Sequence, residues 1–272
     1  MEDNSFNEKI FQYLNCNSCK TIYIYPFPDD NDYLKMYPVE YQGDVFTAPT
    51  ENYKDLFNLL KKYLPEAKSL LDYGCGNSEL LMNAMANNYT VTGVEYNQNF
   101  VQKLRELLPN INFHNLNDFY SQNEKYDIIV LNNVLEHVTN PNEVLTFIHS
   151  RLSDNGLFVC LGPVENNFNI AHTFRRTIFG LRNMFFKSKT NHCPYHITFT
   201  NVKNQKMIFE KNNFKECHFK TGEITWPFPE KVEFNSFKGF VLGLIAQISL
   251  KVSKLFSSNA GNLFTYIGRK SN

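Results

Sequence analysis

The feature that most constrains this chain is the stretch Ser69-Leu70-Leu71-Asp72-Tyr73-Gly74-Cys75-Gly76-Asn77-Ser78-Glu79-Leu80-Leu81. It reads as a short buried strand, an acid, a two-glycine turn and the start of a helix. Gly74 and Gly76 can take backbone angles that side chains forbid, and they leave the main chain bare for a ligand to lie against. Ser78 suits the N-cap of a helix opening near Glu79. Glycines at the carboxyl end of a first strand are where open α/β sheets bind nucleotides, so this stretch predicts a fold and a site together.

The flanking sequence keeps the same alternation. Before the stretch, Tyr53, Leu56, Phe57, Leu59, Leu60 and Tyr63 fall at helical spacing, with Pro65 as a stop. After it, a helix over 79–87 leads to Tyr89–Glu95, a second strand ending in an acid roughly 20 residues past the turn. A carboxylate there sits at the tip of the neighbouring strand, where it can accept both hydroxyls of a ribose; a solvated strand-end glutamate is the plainer alternative. An amphipathic helix over 97–108 stops at Pro109, a strand covers 111–114, and Asn117-Asp118 closes the next loop. Residues 125–131 form an apolar run of the kind a parallel sheet buries on both faces, and it empties into Asn132-Asn133-Val134-Leu135-Glu136-His137-Val138. A helix from Pro141 to Leu152 and a strand over 157–163 follow, then a helix over 201–212 and a strand over 214–219. Strands alternating with helices imply right-handed crossovers, a Rossmann-like α/β fold and a mostly parallel sheet with helices on both faces.

Composition narrows the partners. With 27 basic and 27 acidic residues the formal net charge is zero, so nothing advertises nucleic acid or an anionic membrane surface, and no nucleic-acid partner is expected. The amino terminus is acidic and lacks an export-length apolar run, which predicts a cytoplasmic protein, and the six scattered cysteines favour reduced thiols. Cys16 and Cys19 form a Cys-x-x-Cys turn before an alternating β-like run and resemble half of a zinc ribbon. A structural zinc needs four ligands and no second such pair exists, so no metal is expected. Residues 1–48 are read as an amino-terminal arm with the lone Cys-x-x-Cys, irregular in the segment through Pro38–Gly43, and 49–272 as the main domain. The arm's segment ending at Gly43 is rich in Tyr, Pro and Asp without helical period, and could close over a ligand.

These residues carry a resemblance. The chain resembles the class I S-adenosylmethionine-dependent methyltransferases, and in particular the small-molecule and sugar methyltransferases in which a half or whole zinc ribbon precedes the catalytic domain. Asp72-Tyr73-Gly74-Cys75-Gly76 matches the family's Asp-x-Gly-Cys-Gly signature, and Ser78 departs from it where many members carry a third glycine. The resemblance implies S-adenosyl-L-methionine as cofactor, bound by Asp72, Gly74, Cys75, Gly76, Glu95, Tyr96, Asp118 and Asn132. Glu95 would take the ribose, Asp118 the adenine amine, and residues 131–138 would lie beside the methyl donor. It also implies a seven-stranded sheet whose final, antiparallel strand is 262–269. The residues themselves argue against the main rival. A dinucleotide fold wants Gly-x-Gly-x-x-Gly, and the sixth position here is Glu79, whose charge would repel phosphate but not a cationic methyl donor. Cys75, inside a tight turn with no neighbouring histidine, reads as a packed residue rather than a nucleophile.

After Pro163 the alternation breaks. Residues 163–196 interleave Phe168, Phe174, Arg175, Arg176, Phe179, Arg182, Phe185 and Phe186, either as a recognition insert or as a helix packing its Phe face. In the family it resembles, the insert after this strand shapes the acceptor pocket. Methyl transfer from an activated donor depends chiefly on alignment, with a base needed only when the acceptor must lose a proton. His137 and His196 are the candidate catalytic bases, each with a structural role as the alternative. Residues 234–256 contain the most apolar run; 237–250 is too short for a bilayer, which takes about 20 apolar residues. It could pack on the sheet, form a homodimer or, with Lys251 and Lys254, touch a membrane surface. The expected activity is O-methylation of a small molecule or sugar, with a glycan or surface-polysaccharide precursor favoured by the resemblance alone. A quinone or natural-product phenol methyltransferase and a non-catalytic donor-binding protein are the alternatives.

Overall fold

A computed structural model of the chain describes residues 3–170, 173–174, 177, 193–224, 236–256 and 259–271. Most of the expected acceptor insert at 163–196, including Arg175, Arg176, Phe179, Arg182, Phe185 and Phe186, lies outside the described residues. The chain divides into two compact units: Met1–Phe27 with Gly162–Met207 and His218–Tyr266, and Pro28–Leu161 with Ile208–Cys217 and Ile267–Asn272. The expected arm 1–48 therefore divides at Phe27.

In the first unit, β1 (Asp3–Phe6), β2 (Lys9–Asn15), β3 (Ile22–Tyr25) and β9 (Thr198–Phe199) form an antiparallel sheet in that order. Cys16 and Cys19 occupy the turn between β2 and β3. The apolar stretch near the carboxyl end forms α8 (Phe237–Leu255), opened by Ser236, whose hydroxyl accepts the Gly239 N–H at 3.0 Å. Its inward face carries Ala246, Ser249 and Ser253, while Leu244, Ile248 and Leu255 are exposed. Among the described residues no helix is long and apolar enough to cross a membrane.

The second unit holds the expected alternation. α2 (Lys54–Tyr63) buries Leu56, Phe57 and Leu60, the inward face that the spacing predicted. β4 (Ser69–Tyr73), α3 (Glu79–Ala86), β5 (Thr90–Glu95), α4 (Gln98–Leu107), β6 (Asn112–Asn115) and α5 (Leu116–Tyr120) follow, then β7 (Tyr126–Asn132), α6 (Pro141–Arg151) and β8 (Leu152–Pro163). Asn97 and Asn140 cap α4 and α6 through their side-chain oxygens, and Pro141 takes the first turn of α6, where its missing N–H costs nothing. β8 starts five residues earlier than the sequence suggests, because the chain re-enters the sheet at Leu152 and passes a register irregularity opposite Tyr126 and Ile128. With α7 (Val202–Lys211), β10 (Phe214–Gly222) and β11 (Leu263–Lys270), the chain builds a seven-stranded sheet in the order β10-β11-β8-β7-β4-β5-β6. The sheet is mostly parallel, with the final strand antiparallel and helices flanking it.

Leu70, Leu71, Ile128, Ile129, Val130 and Leu131 are fully buried, which accounts for the unbroken apolar runs of β4 and β7. Each such side chain contributes about 1.5–3 kcal/mol by leaving water. The chain steps outward from β4 through β5 to β6, then returns to the other side of β4 with β7. That reversal opens a crevice at the carboxyl ends of β4 and β7, the position where doubly wound sheets take ligands.

One element was absent from the sequence reading. Residues expected to be irregular form α1 (Asp30–Met36), followed by a 3-10 turn over Val39–Gln42. A reciprocal capping box starts α1: Asp29 accepts the Asp32 N–H and Asp32 accepts the Asp29 N–H, both at 3.0 Å. Asp32 and Met36 face inward.

Candidate functional site

The crevice at the end of β4 is a cavity of about 590 Å³, within the range of small-molecule sites. Its floor is the glycine turn. Gly74 and Gly76 both have positive φ, 85° and 45°, as the sequence required. A Cβ on Gly74 would lie 2.6 Å from Val134 Cγ2, and one on Gly76 would lie 2.9 Å from Gln42 Oε1. The Gly74 and Cys75 N–H groups donate to the Val94 carbonyl, fixing the turn to β5. Ser78 corrects an expectation: it stands at the N-cap position in left-handed backbone, φ 69°, and its buried hydroxyl makes no capping bond. Asn77 Oδ1 instead accepts the Glu79 N–H at 3.4 Å. Left-handed backbone at position 78 is the conformation a third glycine would take without strain, so Ser78 holds the glycine shape at some cost. The Glu79 carboxylate accepts from Thr50 Oγ1 and Asn52 Nδ2 at 2.6 and 2.7 Å.

Two buried acids flank the turn. Glu95, 6% exposed, accepts N–H donors from Gly76 at 3.1 Å, Tyr96 at 2.9 Å and Asn97 at 3.2 Å. A carboxylate offers about four acceptor positions, so one remains on the oxygen that faces Gly76. Burial raises its pKa, and the three backbone donors pull it back. Asp72, 2% exposed, has an Oδ1 without a hydrogen-bond partner; burial, and secondarily the Glu95 charge, push its pKa up to about 8. Burial also raises the Cys75 thiol well above its ordinary value, in keeping with a packed residue and against a nucleophile.

The opposite wall comes from α1 and the 3-10 turn. Tyr33, Tyr37 and Tyr41, spaced by four, line the cavity with Gln42. The Tyr33 ring lies 5.8 Å from that of Tyr96. Tyr33 donates its hydroxyl to the His137 carbonyl at 2.7 Å, and the Tyr37 hydroxyl meets His137 Nδ1 at 2.8 Å. On the other side of the imidazole, Nε2 stands 3.7 Å from Oε1 of buried Glu136. Asn97 Nδ2 donates to the Tyr37 carbonyl at 3.0 Å, tying this wall to the strand tip that carries Glu95.

Gly74, Cys75, Gly76, Glu95, Tyr96, Asn132 and His137 all line the same cavity, whereas Asp72 is buried and is not among its lining residues. Asn132 donates to the Tyr53 hydroxyl at 2.9 Å. Asp118 is not a lining residue; its carboxylate accepts from Asn115 Nδ2 at 2.6 Å, while Leu116 and Tyr120 of the same helix face the cavity. His196 belongs to the first unit, where its Nδ1 pairs with Glu165 Oε2 at 2.7 Å. Sequence reasoning missed Tyr33, Tyr37, Tyr41 and Gln42. The signals were present in the Asp29/Asp32 box and the i, i+4, i+8 tyrosines, but seven residues of helix fell below what periodicity resolves.

A family profile described as a methyltransferase domain matches residues 41–217. The chain belongs to that family. It is an S-adenosyl-L-methionine-dependent methyltransferase, hence an enzyme. Among solved structures, this methyltransferase is similar to a SAM-dependent methyltransferase from Archaeoglobus fulgidus, at 17% identity over 80% of this chain and 95% of that one, TM-score 0.50. It is also similar to a SAM-dependent methyltransferase from Methanosarcina mazei, at 13% identity over 84% and 99%, TM-score 0.51. A third is magnesium protoporphyrin IX methyltransferase from Synechocystis, at 15% identity over 91% of both chains, TM-score 0.50. These likenesses establish the fold. No curated protein matches the sequence.

The residues present fit the cofactor. The bare Gly74–Gly76 backbone leaves room that a Cβ would fill, Glu95 keeps an acceptor position, and the orphaned Oδ1 of Asp72 is a buried carboxylate atom suited to a cationic ligand.

Proposed function

We propose that this methyltransferase acts on a small molecule, using the crevice of the second unit for the donor and a tyrosine–histidine pair to take the acceptor's proton. The single observation that carries this reading is the Tyr37 hydroxyl at 2.8 Å from His137 Nδ1, inside the cavity that the glycine turn floors. When bound, S-adenosylmethionine would supply a methyl group on a positive sulfur, activated for displacement by the acceptor. Gly74, Gly76, Asp72, Glu95, Tyr96 and Asn132 would hold and orient the donor, with Asp118 at the adenine end.

The buried Glu136 carboxylate beside Nε2 favours the proton on that nitrogen, since opposite charge or dipole is stabilised there. Nδ1 is then the basic nitrogen and draws the Tyr37 proton, so the phenol oxygen becomes the group that accepts the acceptor's proton. Tyr33 fixes the His137 backbone, which leaves the ring little freedom to swing away. His196, paired with Glu165, takes a structural role in this reading.

Acceptor size and charge are bounded by the same wall. Donor and acceptor share about 590 Å³, and among the described residues the lining carries Asp30, Glu95 and Glu143 but no Lys or Arg. That favours a hydroxyl-bearing acceptor whose phosphates, where it has any, lie beyond this lining. O-methylation of a sugar in glycan-precursor synthesis rests on the family resemblance; the tyrosine rings favour a phenol or quinone as the second reading. The exposed face of α8 supports a contact with a second copy or a membrane surface.

The test is turnover of labelled donor against neutral sugars, sugar nucleotides and phenols, with donor affinity measured in parallel. Transfer to one class assigns the acceptor; donor binding with no transfer to any of them would overturn this assignment of acceptor.

A further inference from the structure

Helix α8 carries apolar residues on both of its faces, and the two faces differ in size. Its inward seam is made of small residues, Gly239, Gly243, Ala246, Ser249 and Ser253, all of them buried, and Ser253 donates its hydroxyl to the Ala260 carbonyl at 3.3 Å. The bulky residues lie on the opposite side. Phe237, Leu244, Ile248 and Leu255 recur at i, i+7, i+11 and i+18, one line along a helix, and all four are exposed, Phe237 by 85% and Leu255 by 78%. Phe240 and Phe256 add exposed rings at its two ends. A contiguous apolar row of this length marks a contact surface.

The patch continues past the helix. The turn after α8 holds two more exposed apolar residues by their backbones: the Gly261 N–H donates to the Phe168 carbonyl at 3.0 Å, and the Asn262 side chain bonds both the N–H and the carbonyl of Ile224, at 2.8 and 2.7 Å.

Charge chooses the occupant. α8 contains no Asp or Glu, and Lys251 and Lys254 are exposed near its carboxyl end, flanking the apolar line. A second copy of the chain would set the same face against itself, and in that self-complementary contact neither lysine would meet an acid of the facing helix. An anionic bilayer answers both features: its acyl boundary takes the Phe, Leu and Ile side chains, and its headgroups take the ammonium groups at the ends of the long lysine stems. The chain's zero net charge does not oppose this, because the attraction acts within a Debye length of about 10 Å. With no described helix able to cross a bilayer, α8 would lie along its surface.

We propose that the outer face of α8 is a docking surface for an anionic lipid bilayer, with Phe237, Leu244, Ile248 and Leu255 entering the headgroup–acyl boundary and Lys251 and Lys254 against the lipid phosphates. This rests on the reading of that face as a contact surface and is independent of which acceptor is methylated.

The test is co-sedimentation of the full chain with phosphatidylcholine vesicles, with and without phosphatidylglycerol, at low and high salt, for the wild type, Leu244→Ser/Ile248→Ser and Lys251→Gln/Lys254→Gln. Both pairs are exposed and outside the donor cavity, so thermal melts and donor affinity by calorimetry should match the wild type. Two lysines at an anionic surface predict about a tenfold preference for the charged vesicles, lost in the glutamine variant and in high salt. The serine variant should bind about tenfold more weakly still, since it loses apolar burial. The proposal is overturned by no binding to charged vesicles, by equal binding to charged and neutral ones, by a serine variant that binds as the wild type does, or by a concentration-dependent dimer that the serine variant loses, which would assign the face to a second copy. Failure of the acceptor panel leaves these readings untouched, because vesicle binding needs no turnover.

Discussion

Two segments face each other across the cavity, and they are written in the sequence in different ways. The turn 72–77 depends on backbone: Gly74 and Gly76 stand at positive φ, and their missing side chains make room against Val134 and Gln42. The segment 30–42 depends on side chains: Tyr33 and Tyr37 reach His137, about a hundred residues away in sequence, with their hydroxyls. In the proposed function the first segment binds the donor and the second acts on the proton. Changes in the turn should therefore move donor affinity, and changes in the tyrosine wall should move turnover.

The largest effect expected is on turnover. His137→Gln and Tyr37→Phe should each lower kcat by about 10²–10⁴-fold, the usual worth of a positioned general base, with donor affinity within about threefold. The double variant should be little worse than either single one, because the two groups act as a unit. Steady-state kinetics with calorimetry of donor binding would settle it, and a Tyr37→Phe enzyme with normal kcat would break the pairing while leaving His137 in question separately.

Next comes Gly74→Ala. The new methyl meets Val134 at 2.6 Å in left-handed backbone, so donor affinity should fall by about 1–3 kcal/mol from the strain that must be relieved on one side or the other. Retained affinity with a lost kcat would reverse the division of labour between the segments. Glu95→Ala should cost about 1–3 kcal/mol of donor affinity, the penalty of an unmade charged hydrogen bond, and calorimetry at fixed pH measures it.

A pH series sharpens the floor of the site. Asp72 has a folded-state pKa of about 8 against an ordinary 3.8, so between those values the folded state holds a proton that the unfolded chain has released. Stability should fall as pH rises through that window, by up to about 1.4 kcal/mol per pH unit. Thermal melts between pH 5 and roughly 8.5 should flatten in Asp72→Asn, with the variant the more stable of the two at the alkaline end. Equal pH dependence in both proteins would place the unusual proton elsewhere.

Legibility followed the same division. The β4–turn–α3 unit, the acid at the tip of β5 and the order of strands were readable because each imposes a local demand: glycine for positive φ, β-branched and aliphatic runs for a sheet buried on both faces, prolines at helix ends. Even within that unit Ser78 departs from expectation, since serine's preference for capping is only a tendency and the residue stands here in left-handed backbone with no capping bond. α1 was unreadable for the opposite reason. Seven residues give barely two turns, its stability comes from a capping box of two aspartates, and its inward face is only Asp32 and Met36.

By itself, then, the amino-acid order determined a doubly wound α/β sheet, a glycine turn at its switch point and an acid at the tip of the neighbouring strand, because strands, turns and strand tips are decided by residues within a few positions of one another. Tertiary structure alone decided that Tyr37, residing in what read as an irregular arm, meets His137, and that Asp72 is buried with an oxygen left over. Such contacts depend on where the sheet's twist and the crossovers deliver distant side chains, and no local preference encodes that meeting.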